Sequence, residues 1–138
     1  ELLWIPFFGW GIGLLRMVAI NRKAGQDAFT QMITQARSRL DAGVWMILFP
    51  EGTRSAVGKV GNYKSGGARM SVALDTPIIP IAHNAGECWP KFSWIKKPGV
   101  ITLSIGPLIH PNGREAAVVH EEMKDWIEGE MLRLPKAN

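Results

Sequence analysis

An α/β fold, with a mostly parallel sheet flanked by helices, is what this chain of 138 residues predicts. Two observations carry the prediction. Short apolar runs alternate with segments of helical periodicity, and Gly or Pro marks most of the junctions between them. The bulk values agree: 46% hydrophobic and 20% charged residues exclude wholesale disorder, and the length suits one domain with a buried core.

The elements follow in order. From about Trp4 to Leu15 the chain can form a short, glycine-rich, apolar helix. Met17–Ile20 reads as a strand, closed by Asn21, Arg22 and Lys23. Ala28, Phe29, Met32, Ile33, Ala36 and Leu40 recur at helical spacing, and Gly43 supplies the stop. Val44–Phe49 reads as a buried strand, Gly66–Leu74 as a short helix, and Ile78–Ile81 as a second buried strand. After a loop from His83 to Gly99 comes a strand at Val100–Ile105, ended by Gly106-Pro107. Pro111-Asn112-Gly113 makes a turn, and Glu115–Leu134 is an amphipathic helix.

The first residues read as an entry partway into a larger domain. Glu1 is not an initiator methionine, and the apolar run Leu2–Leu15 is broken by Pro6, Gly9, Gly11 and Gly13. That run is shorter than the roughly 20 residues a bilayer span requires. It also lacks the basic start and small-residue cleavage site of a signal peptide. The fold is therefore expected to be incomplete at its N-terminus.

Charge is unevenly spread. The net charge is +4, and up to His110 there are twelve Lys/Arg against six Asp/Glu, whereas beyond it there are four against six. The basic surplus suits an anionic ligand or an anionic membrane surface, or serves solubility alone. Cys88 is the one cysteine, so no internal disulfide can form and a reducing compartment is the simpler reading. It has no histidine arranged as a nucleophile's partner. His83 and His110 read as structural, and no metal-ligand spacing exists, so no metal is expected.

The segment that demands a chemical explanation is Phe49-Pro50-Glu51-Gly52-Thr53-Arg54-Ser55. Pro50 ends a ladder because it has no N–H. Gly52 permits a tight backbone path, Thr53 offers a hydroxyl, and Arg54 offers a planar fork of donors suited to phosphate. In open α/β sheets ligands bind where strands end, which is where these residues fall.

In order and content, these pieces resemble the glycerolipid acyltransferase family, in particular bacterial 1-acylglycerol-3-phosphate acyltransferases. Residues 49–55 resemble the family's third motif residue for residue. Ala19-Ile20-Asn21-Arg22 resembles the second motif, Phe-Ile-Asp-Arg, with Ala19 for phenylalanine, Asn21 for aspartate, and Arg16 where that motif usually opens with glycine. Ile79-Pro80-Ile81 resembles the fourth motif, and Tyr63-Lys64-Ser65-Gly66 the Phe-Lys-x-Gly segment after the third. The family's first motif, His-x-x-x-x-Asp, precedes these, and its histidine is the general base. Here that spacing occurs at His120 and Asp125, within the C-terminal helix, where positions five apart diverge. The pair is read as a decoy, and no catalytic residue is assigned to this chain.

The resemblance implies one acyltransferase domain over 1–138 that lacks its N-terminal part. It implies transfer of an acyl chain from acyl-CoA or acyl carrier protein to the sn-2 hydroxyl of 1-acylglycerol 3-phosphate, giving phosphatidate, with no other cofactor. A related acceptor (glycerol 3-phosphate or another lysophospholipid) or a non-catalytic phospholipid-binding module are the alternatives. The implied substrate-phosphate site comprises Arg22, Glu51, Gly52, Thr53, Arg54 and Lys64. Within it Arg54 is the charge partner, Thr53 a neutral donor, and Gly52 lets backbone amides approach. Glu51, a carboxylate, orients an arginine or the surroundings of the histidine. The fragment alone is expected to be inactive.

The resemblance also implies membrane association, at the cytoplasmic face of the bacterial inner membrane. Trp4, Phe7, Phe8 and Trp10 fit either a core helix or an interfacial segment. Trp89-Pro90-Lys91-Phe92-Ser93-Trp94-Ile95-Lys96-Lys97 interleaves aromatics with lysines and is the better candidate for a membrane surface. Nucleic acid could use the same composition through stacking, but no nucleic-acid fold accompanies it.

Overall fold

The structure is a computed structural model and describes Trp10, Val18 and residues 26–137. The expected N-terminal helix, apart from Trp10, and the expected strand Met17–Ile20, apart from Val18, lie outside the described residues. So does Arg22. Two compact units are distinguished, Glu1–Ile47 and Leu48–Asn138.

In the first unit, α1 spans Gln26–Asp41. Asp27 in its first turn and Arg39 in its last complement the helix dipole. Its apolar positions are at least half-buried and Ala36 is fully so. Gly43 ends it in the left-handed region at φ 71°. The Gly43 N–H donates to the Leu40 carbonyl at 2.8 Å and the Val44 N–H to that of Arg39 at 2.9 Å, so the last carbonyls are satisfied.

The second unit runs through α2 (Gly66–Leu74), β1 (Ile81–His83), the one-turn α3 (Ala85–Cys88), β2 (Leu103–Ile105) and α4 (Ala116–Met131). Asp75 caps α2 at φ 48°, its N–H meeting the carbonyls of Ser71 and Val72. The Pro111–Gly113 turn forms as the sequence predicts. Asn112 and Gly113 take φ 43° and 72°, and the Arg114 N–H donates to the Pro111 carbonyl at 2.7 Å.

β1 and β2 pair antiparallel in the register Ile81 with Ile105, Ala82 with Ser104 and His83 with Leu103. An isolated antiparallel bridge, Ile78 with Ile109, continues the same approach. The core beneath holds Ala68, Ile109, Val119 and Met123, with Tyr63, Val72, Ile78 and Ile127 packed around them. α4 supplies the floor, touching both α2 and β1. Asn84, just after β1, is buried and ties three backbone segments together. Its Nδ2 donates to the carbonyls of Val100 (3.3 Å) and Pro135 (2.8 Å), and its Oδ1 accepts from the Thr102 N–H at 2.8 Å.

Two expectations change. The described strands form an antiparallel pair, so the mostly parallel sheet is not what they display. β1 returns to β2 through a one-turn helix and a loop, without the long crossover that parallel neighbours require. Val44–Phe49, expected as a buried strand, has no ladder partner among the described residues. Trp45, Ile47 and Phe49 are 77%, 83% and 75% exposed. An extended segment becomes a strand only through neighbours, which sequence periodicity does not supply.

Candidate functional site

The loop after Phe49 is shaped by a turn that its sequence encodes. The Gly52 N–H donates to the Phe49 carbonyl at 3.0 Å, placing Pro50 second and Gly52 fourth in a β-turn. Proline presets the backbone of the second position and glycine is favoured at the fourth. Gly52 sits at φ 67°, a region that a side chain disfavours. The Pro50 carbonyl then accepts the Lys64 N–H at 2.7 Å, which lays residue 64 alongside the turn.

Glu51 is half-buried, and its carboxylate accepts the Ser55 hydroxyl. Gly61 faces this pair so closely that any Cβ there would overlap the carboxylate. The closed turn thus withdraws Glu51 into its own loop, where it orients Ser55. Thr53 and Arg54 remain exposed. The Arg54 guanidinium lies 5.1 Å from the centre of the Trp89 ring, and the Lys96 ammonium lies 4.7 Å from the same ring. Among the described residues no carboxylate pairs with Arg54, Lys64 or Lys96. The distinction is chemical. A π-face positions a cation while leaving its charge uncancelled, whereas a carboxylate would neutralise it.

Below the loop, the Tyr63 hydroxyl donates to Glu128 Oε1 at 2.7 Å. Burial first, then the Glu128 carboxylate as acceptor and as charge, then the Glu51 charge, push the phenol well above its usual range. Tyr63 stays neutral and acts as a strut between the motif side and α4.

Of the residues the sequence singled out, Glu51, Gly52, Thr53, Arg54 and Lys64 come together in one stretch of surface. Arg22 lies outside the described residues. His120 and Asp125 fall in α4, where His120 Nδ1 is buried without a hydrogen-bond partner among the described residues. Sequence reasoning missed Trp89 as the partner of Arg54, the Ser55 bond to Glu51, the clearance at Gly61 and the Tyr63–Glu128 strut. The Ser55 bond had a local signal, a hydroxyl four residues from a carboxylate. The others join distant positions and had none. Among the described residues no helix is long and apolar enough to cross a membrane.

Thr53, Arg54 and Lys64 are thus exposed beside the proline–glycine turn, in a chain whose strand pair is backed by helices, and the class of protein follows from comparison with known proteins. The chain belongs to the acyltransferase family, whose model matches residues 1–84. It is 41% identical over 137 residues to a 1-acyl-sn-glycerol-3-phosphate acyltransferase of Pseudomonas aeruginosa, covering 97% of this chain and 53% of that protein. A mouse 1-acyl-sn-glycerol-3-phosphate acyltransferase alpha is 37% identical over 85 residues, 62% of this chain and 30% of that protein. The crystal structure of PlsC, the 1-acyl-sn-glycerophosphate acyltransferase of Thermotoga maritima, superposes with a TM-score of 0.68 at 28% identity. It covers 74% of this chain and 45% of that one. The chain spans about half the length, or less, of these relatives.

Proposed function

We propose that this chain is the phosphate-recognition part of a 1-acylglycerol-3-phosphate acyltransferase. The intact enzyme acylates the sn-2 hydroxyl of lysophosphatidate to give phosphatidate. The observation that carries the reading is the exposed Arg54 of the 49–55 segment, which has no carboxylate partner among the described residues and lies with Thr53 near the Lys64 segment. The Pseudomonas and Thermotoga relatives bear names for this reaction, which supports it.

In this reading Arg54 holds the substrate phosphate by charge-assisted hydrogen bonds, with Thr53 donating its hydroxyl and Lys64 adding a point charge. Arg22 is a second guanidinium for the same group. Glu51, occupied by Ser55, shapes the turn. With the phosphate fixed, the sn-2 hydroxyl oxygen is presented to the thioester carbonyl carbon, and positioning of this kind lowers the barrier substantially. The oxygen–carbon bond forms, the thiolate leaves, and a general base carries the hydroxyl proton away. In the family this base is the histidine of a His-x-x-x-x-Asp motif, a spacing these residues carry only at His120 and Asp125 within α4, so the chain by itself is inactive. Acyl-CoA or acyl carrier protein is the donor, and the enzyme works at the cytoplasmic face of the inner membrane. In one complete domain, residues 44–49 gain ladder partners in a mostly parallel sheet, which would cover Trp45, Ile47 and Phe49.

The test is Arg54→Ala in the intact enzyme. Loss of a charged hydrogen-bond partner is worth about 1.5–3 kcal/mol, so kcat/KM for lysophosphatidate should fall about 10- to 150-fold. Unchanged kinetics would remove Arg54 from the site. A parent enzyme that prefers glycerol 3-phosphate over lysophosphatidate would replace the proposed acceptor.

A further inference from the structure

The loop between α3 and β2 is ordered by its own backbone. The Lys97 N–H donates to the Cys88 carbonyl at 2.8 Å and closes its base. Inside, Trp89 Nε1 donates to the Ser93 carbonyl at 2.8 Å, and the Ser93 N–H to that of Pro90 at 3.2 Å. The Ser93 hydroxyl donates to the Ile95 carbonyl at 2.8 Å and accepts the Ile95 N–H at 3.1 Å. A loop this well bonded could fold its apolar side chains inward, and it does the reverse. Phe92, Trp94 and Ile95 are 84%, 99% and 74% exposed. Phe92 is also held at φ 62°, a conformation rare for bulky residues and one that a loop keeps only when its other bonds impose it.

Charge surrounds this tip. Lys91 lies over the Phe92 ring at 5.2 Å, Lys96 over the Trp89 ring, and Lys97 follows at the base. An aromatic and aliphatic tip with a collar of lysines matches one environment in particular. Acyl chains receive the apolar side chains, tryptophan sits at headgroup depth, and the ammonium groups meet anionic phosphates. An acidic protein would satisfy the lysines and leave the tip without an apolar phase.

We propose that Trp89–Lys97 is a preformed docking loop for an anionic phospholipid bilayer, inserting Phe92, Trp94 and Ile95 among the lipids. Trp89 belongs both to this loop and, through Arg54, to the phosphate motif, so docking sets that motif at the lipid surface. This last step rests on the phosphate reading of Arg54; the docking itself does not.

The experiment uses the intact protein and flotation with vesicles of phosphatidylcholine alone or mixed with phosphatidylglycerol. The parent should float with the anionic vesicles. Lys96→Ala with Lys97→Ala should weaken that binding roughly thirtyfold, as expected for two lost surface charges. The triple variant Phe92→Ser, Trp94→Ser, Ile95→Ser should abolish it. If the triple variant does not fold, Trp94→Ser alone serves, because that side chain touches almost nothing. Brominated lipid should quench parent fluorescence more than that of Trp94→Phe. The triple variant should lose turnover of vesicle-borne lysophosphatidate but keep turnover of a dispersed short-chain analogue. Equal flotation by parent and variants overturns the proposal. So does a variant that changes only the oligomeric state, or only kcat/KM for an acyl carrier protein thioester. Absence of acylation in the parent defeats the proposed reaction instead, and leaves docking to be decided by flotation.

Discussion

The cluster around Val119 and the turn at 49–55 are held by opposite means. Ala68, Ile109, Val119 and Met123 are fixed by exclusion of water, with α2, α4 and β1 closing over them. The turn is fixed by few bonds: Gly52 to Phe49, Lys64 to Pro50, Ser55 to Glu51, and Arg54 resting on Trp89. One region spends its chemistry on itself. The other exposes the Thr53 hydroxyl and leaves Arg54 and Lys64 without a carboxylate partner among the described residues. Stability and ligand recognition should therefore respond to different substitutions.

The largest expected effect is in the cluster. In the intact enzyme, Met123→Ala should destabilise the fold by about 2–5 kcal/mol in urea denaturation, with turnover per folded molecule unchanged. A fall in specific activity of the folded fraction would break the separation. Next comes the strut that spans both regions. Tyr63→Phe should cost about 1 kcal/mol through the hydrogen bond lost to Glu128. A cost confined to catalysis would move Tyr63 to the ligand side. Smaller still is Trp89→Ala in the intact enzyme. An exposed cation–π contact is worth about 0.5–1 kcal/mol, so KM for lysophosphatidate should rise about twofold to fivefold while kcat holds. Trp89→Phe should recover part of that loss, and a kcat effect without a KM effect would contradict the positioning role.

The smallest effect lies in alkaline solution. The folded state holds the Tyr63 proton above the pH at which the unfolded chain releases it, about 10. Its contribution to stability is complete below that pH and declines as pH rises further. Tyr63→Phe should flatten the alkaline limb of a stability curve. Parallel limbs for parent and variant would show that the strut carries no proton linkage.

How much the sequence reveals depends on how local the cause is. α2 spans Gly66–Leu74 as expected, because Asp75 stops it within the same stretch of chain. Gly43 and Asn112-Gly113 act in the same local way. Clustering of residues 51–54 with Lys64 was legible from the motif and its following segment. That Val44–Phe49 has no ladder partner among the described residues was not, because a ladder partner is remote in sequence. Nor were the meetings of Arg54 with Trp89 and of Tyr63 with Glu128, each of which exists only after the chain has folded back on itself.

Asn84 is the position where that folding back is most exacting. A single amide side chain donates to Val100 and Pro135 and accepts from Thr102. Aspartate keeps the shape but loses both donors, and leucine loses all three bonds. The side chain works as a three-way lock, and the loop that carries Trp94 hangs from it.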